Sequence, residues 1–248
     1  MRAVVIIPTY NEKENLPVIV PQVLELSEVD ILVVDDGSPD GTGDVADALA
    51  AEHPRVHVMH RTEKGGLGRA YVAGFGWALA REYTHIVEMD ADLSHRPVDL
   101  PRLLRRASRP DAPDLVIGSR WVAGGGIENW PMHRLLLSRG SNFYVRVLTG
   151  LKVKDATAGF RVYRREILQA IDLSTVESQG YSFQVDMTLR VDDAGGRIIE
   201  VPILFVERTL GASKMDGPII KESALRTASW GIERRSRQIA ALGKKLRR

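Results

Sequence analysis

"AVVIIPTYNEKENLPVIVPQVLELSEVDILVVDD", residues 3–36, is the stretch whose reading decides the fold. It holds two short β-branched runs, 3–8 and 30–36, each closing on turn or acidic residues. The segment between them, entered after Asn11, reads as a helix. Runs that are apolar throughout suit strands buried on both faces of a parallel sheet. The unit then repeats. A second helix is expected over about 42–53, a strand over 56–60 and a glycine-opened helix over 66–82, with further strands over 85–89 and 114–120. Strand and helix alternate, so the expected class is α/β: a mixed, mainly parallel sheet with helices on both faces and right-handed crossovers.

After residue 120 the pattern changes. "GGG" (124–126) reads as a flexible joint, 132–150 as a helix, "RIIEVPILFVE" as strand-like, and 217–246 as helical, with apolar side chains set among basic ones. The expected division is 1–216 as the main domain (1–120 a nucleotide half, 121–216 an acceptor half) and 217–248 as a basic helical extension. No internal repeat interrupts it.

Composition narrows the classes. The chain has 248 residues, 44% of them hydrophobic, enough for one sizeable core. With no cysteine there is no disulfide framework, thiol nucleophile or cysteine zinc site. No run approaches the roughly 20 apolar residues of a membrane span, so a soluble or peripheral protein is expected. From Lys221 to Arg248 nine Lys or Arg stand against two Glu, a net +7 that leaves −5 for the rest of a chain totalling +2. A basic tail on a mildly acidic body points to an anionic partner, membrane surface or nucleic acid, or else to a solvated helix face.

In open α/β sheets ligands bind beyond the carboxyl ends of the strands. Here those ends deliver Pro8, Thr9, Tyr10, Asn11 and Glu12, then Asp35 and Asp36 of "DDGSPDGT", then Asp90, Ala91 and Asp92 of "MDADLSH". Each group alone also reads as a cap or turn; three adjacent ones suit a nucleotide diphosphate. Two carboxylates spaced Asp-x-Asp can hold Mg²⁺ or Mn²⁺, hard ions that keep waters and bridge substrate phosphates. "KGGLGRA" (64–70) lacks the Walker spacing, and no G-x-G-x-x-G follows the first strand, which counts against a nicotinamide enzyme.

"IPTYNEKENL", "VVDDGSPDGT", "GLGRAY" and "DADLSH" together resemble the family 2 glycosyltransferases of GT-A fold, and more narrowly the polyprenol (dolichol) phosphate mannose synthases. The resemblance runs over nearly the whole chain. It implies GDP-mannose as donor, with Pro8, Tyr10, Glu12, Val34 and Asp36 around the nucleoside. It places Asp90, Ala91 and Asp92 at the metal and pyrophosphate. Some relatives have a metal-holding Gln where this chain has Ser94, whose hydroxyl is a weaker ligand. His95 reads as a capping or structural residue.

Arg120 ends the fifth strand run, and Arg134 and Ser138 stand four apart on one helix face, with Arg139 to the side. Guanidinium groups grip phosphate as planar forks, so these three could take a phosphate monoester. Singly, each arginine also reads as a surface residue. The resemblance favours the lipid-phosphate role. "ERTLGASK" offers Arg208 and Lys214 as cations closing over the donor phosphates. Asp155 of "DATAGFR" reads as structural, orienting an arginine or touching the sugar.

The activity so implied is an inverting transfer of mannose to a polyprenyl phosphate, with Asp92, Arg120 and Arg208 as the catalytic set and no general base. Its expected setting is the cytoplasmic face of a membrane, peripherally bound or held by a membrane-anchored partner, with no nucleic acid involved. The alternatives are a UDP-glucose-dependent polyprenyl-phosphate glucosyltransferase, a transferase to a sugar hydroxyl, a nucleotidyltransferase, and a nucleotide-binding module without turnover.

Overall fold

A computed structural model describes residues 1–111, 113–178, 180–208 and 217–245, without the side chains of Tyr181, 217–221 and 237–245. The first half builds as β1 (Ala3–Thr9), α1 (Leu16–Leu26), β2 (Asp30–Asp35), α2 (Thr42–Glu52), β3 (Val56–His60), α3 (Leu67–Leu79), β4 (His85–Glu88), α4 (Leu100–Ala107) and β5 (Leu115–Ser119). The second half adds β6 (Gly126–Glu128), α5 (Met132–Thr149), β7 (Arg161–Arg164), α6 (Arg165–Ala170), α7 (Gly180–Asp193), β8 (Ile198–Pro202), β9 (Leu204–Val206) and α8 (Gly217–Lys245).

Seven strands form one sheet in the order β3-β2-β1-β4-β7-β5-β8, and β6 pairs with β9 in a small parallel sheet. Alternate residues of the apolar runs feed opposite faces: Val4, Ile6, Leu32 and Val34 one core, Val5, Ile7, Ile31 and Val33 the other. Burial on both faces is why these strands are apolar at every position. From β1 the chain runs outward through β2 and β3, then returns to the other side of β1 as β4. That reversal opens a crevice beyond the carboxyl ends of β1 and β4, where such sheets bind ligands.

Three expectations change in detail. The first helix starts at Leu16, not just after Asn11, with Pro17 in its first turn, where its missing N–H costs no helical bond. The strand-like 197–207 segment splits into β8, on the main sheet, and β9, on the small one. The triglycine is a tight turn, not a joint: Gly124 has φ +85°, and a Cβ on Gly125 would lie 2.6 Å from the Ser119 carbonyl oxygen. Unanticipated from sequence, β7 runs antiparallel between β4 and β5.

In α8, Thr227 is buried and Gly231 lets the backbone approach α5 so closely that a Cβ would meet the Leu148 carbonyl at 2.9 Å. Arg234 pairs with Asp192 and Asp193 of α7. The helix thereby closes a cleft against α5.

Gly125→Ala should cost about 1–3 kcal/mol, since backbone rather than a movable side chain blocks the added methyl. Urea unfolding with an unchanged m-value would check it; a variant as stable as the parent would contradict the tight turn.

Candidate functional site

Beyond β1, Asn11 takes the left-handed conformation at φ +58°, and its N–H donates to Ser38 Oγ. Asp35, at the end of β2, accepts from Thr9 Oγ1 and from the Ser38 N–H, so the two strand ends are tied together. Asp36 is buried and accepts from the Arg61 guanidinium and from the N–H groups of Gly65 and Gly66 at 2.9 and 2.8 Å. It therefore anchors the loop into α3. The Lys64 ammonium lies 3.9 Å over the Tyr10 ring, a cation–π contact on a face where a base could stack. Glu12 accepts from the Asn15 amide at 2.6 Å. Val34 turns its side chain into the core, leaving only main chain for a ligand.

After β4 the chain makes the acidic turn. Leu93 sits at φ +63°, a left-handed conformation uncommon for a bulky residue and of a kind that clusters at functional sites. Asp92, nearly buried, accepts from the Ser94 N–H at 3.1 Å and pairs with Arg208 at 2.9 Å. Asp90 keeps its side chain 36% exposed and accepts from the Tyr71 hydroxyl at 3.4 Å. Burial pushes its carboxyl above the ordinary range; His95 opposes this and the like charge of Asp92 adds to it. Ala91 is buried in the core. Two residues before Asp90, burial raises the Glu88 carboxyl to about 7 against the pull of Arg161. His95 stacks on Phe160 at 5.2 Å and accepts the Asp90 N–H at Nδ1, which makes it scaffold for the turn.

Two carboxylates one residue apart suit a hard divalent ion, and the buried Ser94 hydroxyl has no hydrogen-bond partner. The residues fit such an ion bound together with substrate phosphates. A ready-made cage is not what they form: among the described residues no cluster of three or more His, Cys, Asp or Glu is placed to hold a metal.

On the other side, Arg120 is buried and forked onto Asp155, with Nε–Oδ2 at 2.8 Å and Nη2–Oδ1 at 2.6 Å, while Nη2 also donates to Thr157. Arg120, Arg134 and Ser138 are brought together on one cleft of about 490 Å³ between α5 and α8, whose other lining includes Leu136, Leu137 and Tyr144. Arg134 pairs with Glu207 and lies 4.2 Å from the Trp130 ring centre. Arg139 turns aside to Trp121. Lys214 lies outside the described residues. Tyr71, Trp130 and Glu207 were not singled out from sequence; only Tyr71, inside "GLGRAY", sits in a motif that could have flagged it.

Removing the acid from a buried fork strands its arginine. Asp155→Ala should therefore destabilise the protein by about 3–5 kcal/mol, read by chemical denaturation. A loss below about 1 kcal/mol would mean that water already compensates Arg120.

Comparison with known proteins adds the family. Residues 4–172 match the model of glycosyl transferase family 2. The polyprenol monophosphomannose synthase of Mycolicibacterium smegmatis is 57% identical over 236 residues, 94% of this chain and 88% of that protein. The undecaprenyl-phosphate mannosyltransferase of Micrococcus luteus is 55% identical over 236 residues, 95% of this chain and 96% of that protein. Among solved structures, glucosyl-3-phosphoglycerate synthase from Mycobacterium tuberculosis, in complex with Mn²⁺, UDP and glucosyl-3-phosphoglycerate, shares the fold. Its TM-score is 0.68 at 18% identity, covering 94% of this chain and 79% of that one. With a family match over most of its length and relatives of more than half identity, the chain belongs to glycosyl transferase family 2.

Proposed function

We propose that this enzyme transfers mannose from GDP-mannose to a polyprenyl phosphate, giving polyprenyl β-mannosyl phosphate and GDP. The observation that carries the reading is the cleft itself: two guanidinium groups at Arg120 and Arg134 beside walls containing Leu136 and Leu137. That combination matches a phosphate monoester on an apolar chain. The names of the two bacterial relatives support both the sugar and the acceptor.

Pro8, Tyr10, Glu12, Asp36 and the main chain of Val34 surround the nucleoside in this reading, with Arg208 and Lys214 on the diphosphate. Asp90, Asp92 and Ser94 would hold Mg²⁺ or Mn²⁺, hard ions suited to two carboxylates one residue apart. The ion, when bound, neutralises charge on the departing diphosphate. Arg208, already against Asp92, stands where it adds to that stabilisation. Arg120 and Arg134, with Ser138, orient the acceptor phosphate. One of its oxygens attacks C1 of mannose, the bond from C1 to GDP breaks, and the configuration inverts from α to β. A phosphate with a second pKa of about 6 is already ionised at neutral pH, so no base is needed.

No helix among the described residues is long and apolar enough to cross a membrane. Exposed Met132, Leu136, Phe143 and Val147 on α5, with Leu225 and Ile232 on α8, give an apolar face that can lie in the headgroup region beside basic residues. On this reading the enzyme works peripherally at the cytoplasmic face.

With labelled GDP-mannose, a divalent ion and polyprenyl phosphate, label should pass to extracted lipid. Asp92→Asn should lower kcat by about 10²-fold or more. Arg134→Ala should raise the KM for the lipid about tenfold to a hundredfold. Lipid labelled from UDP-glucose but not GDP-mannose would overturn the donor, and an unchanged lipid KM in Arg134→Ala would overturn the acceptor cleft.

A further inference from the structure

Two separate elements supply the guanidinium groups of the cleft between α5 and α8. Arg120 follows β5, and Arg134 stands in the first turn of α5. One side chain meets both. The Trp130 ring centre lies 4.2 Å from the Arg134 guanidinium carbon and 5.6 Å from that of Arg120, and Trp130 itself lines the cleft. Both distances fall within the roughly 6 Å over which an aromatic face attracts a cation.

The ring has little freedom of its own. Asn129 before it takes the left-handed conformation at φ +65°, and Pro131 after it is the N-cap of α5 at φ −65°. A residue that precedes proline is pushed into extended backbone. Phe205 of β9 then packs edge-on against the indole at 5.3 Å and 72°. Phe205 also meets His95, the scaffold of the acidic turn, at 5.7 Å. The indole N–H is buried and finds no acceptor among the described residues, so the ring and not its polar atom makes the contacts.

A guanidinium can be held by a carboxylate or by an aromatic face, and for a phosphate the two differ. A carboxylate occupies N–H groups and offsets the charge. A ring face does neither, and leaves the planar N–H fork free for a phosphate. Each arginine has one carboxylate partner, Asp155 for Arg120 and Glu207 for Arg134. Neither acid is among the described residues that line the cleft, whereas the indole is.

We propose that Trp130 is the positioning residue of the acceptor cleft: its ring spaces and tilts the Arg120 and Arg134 guanidiniums so that both reach one phosphate. The proposal rests on the polyprenyl-phosphate mannosyltransferase reading, and Trp130 acts in it through the two arginines.

The test assays the whole chain with GDP-mannose, a divalent ion and polyprenyl phosphate. Trp130→Leu keeps apolar bulk without an aromatic face. It should raise the KM for the lipid about tenfold, with the KM for GDP-mannose and the melting temperature at the parent's values. Trp130→Phe, which keeps a face, should restore the lipid KM to within about threefold of the parent. In an Arg134→Ala background Trp130→Leu should cost distinctly less, because one of the cations it positions is gone. Equal losses in both backgrounds would make Trp130 a wall for the lipid tail, independent of the arginine, and overturn the proposal. An unchanged lipid KM in Trp130→Leu would overturn it too, as would a Phe variant as impaired as the Leu one. So would a Leu variant in which both KM values rise while the melting temperature falls. Wild type that labels no polyprenyl phosphate refutes the function and the positioning role together, whereas labelled lipid with additive losses refutes the positioning role alone.

Discussion

The fork between Asp155 and Arg120 holds the two halves of the molecule in register. Asp155 is fully buried and receives three bonds from one residue: the Arg120 backbone N–H, Nε and Nη2. Buried charges persist only when so completely paired. The loop carrying Asp155 is itself strapped down. Glu200 of β8 accepts the N–H groups of Lys154 and Asp155, and the buried Arg161 donates to the carbonyls of Ala156 and Ala158. From there the chain enters β7, which runs backwards through the sheet between β4 and β5. The acidic turn after β4 and the arginine after β5 are thereby set at the same end of the sheet, one at the crevice beyond β1 and β4 and the other at the cleft between α5 and α8.

Much of this could be read from residue order. The β1, β2, β4 and β5 runs are apolar without alternation because both of their faces are covered, and that leaves a direct imprint. The carboxylates at their ends were legible for the same reason: polar residues that stop an apolar run must lie at the sheet's rim. β7 left no such imprint. Four residues that include two arginines, Arg161–Arg164, do not read as a buried strand; the carbonyls, the tyrosine and the facing Glu88 around Arg161 make its burial tolerable.

Individual side chains were harder than positions. Asp36 lies at the expected strand end, yet its oxygens are taken up by Arg61, Gly65 and Gly66, contacts made across some 25 to 30 residues that spacing cannot reveal. Val34 is at the rim in sequence but points into the core. Gln184 sits in a helix of mixed character, and only its burial beside the Glu88 carboxyl, a three-dimensional fact, sets it apart. Asp155, by contrast, was open to the arginine-orienting role that the fold gives it.

The ion pair between Arg208 and Asp92 has a consequence for how charge enters the crevice. A bare acidic turn would repel an anionic diphosphate and carry a standing field into solution. Here the protein brings its own counter-ion, from just past β9 of the small sheet, and parks it on the acid. On the proposed function, arrival of a donor becomes an exchange of partners, with the guanidinium passing from carboxylate to phosphate, instead of the naked desolvation of separate charges. Such a site is electrically quiet at rest, and its strongest charges become available only to a ligand that can separate them.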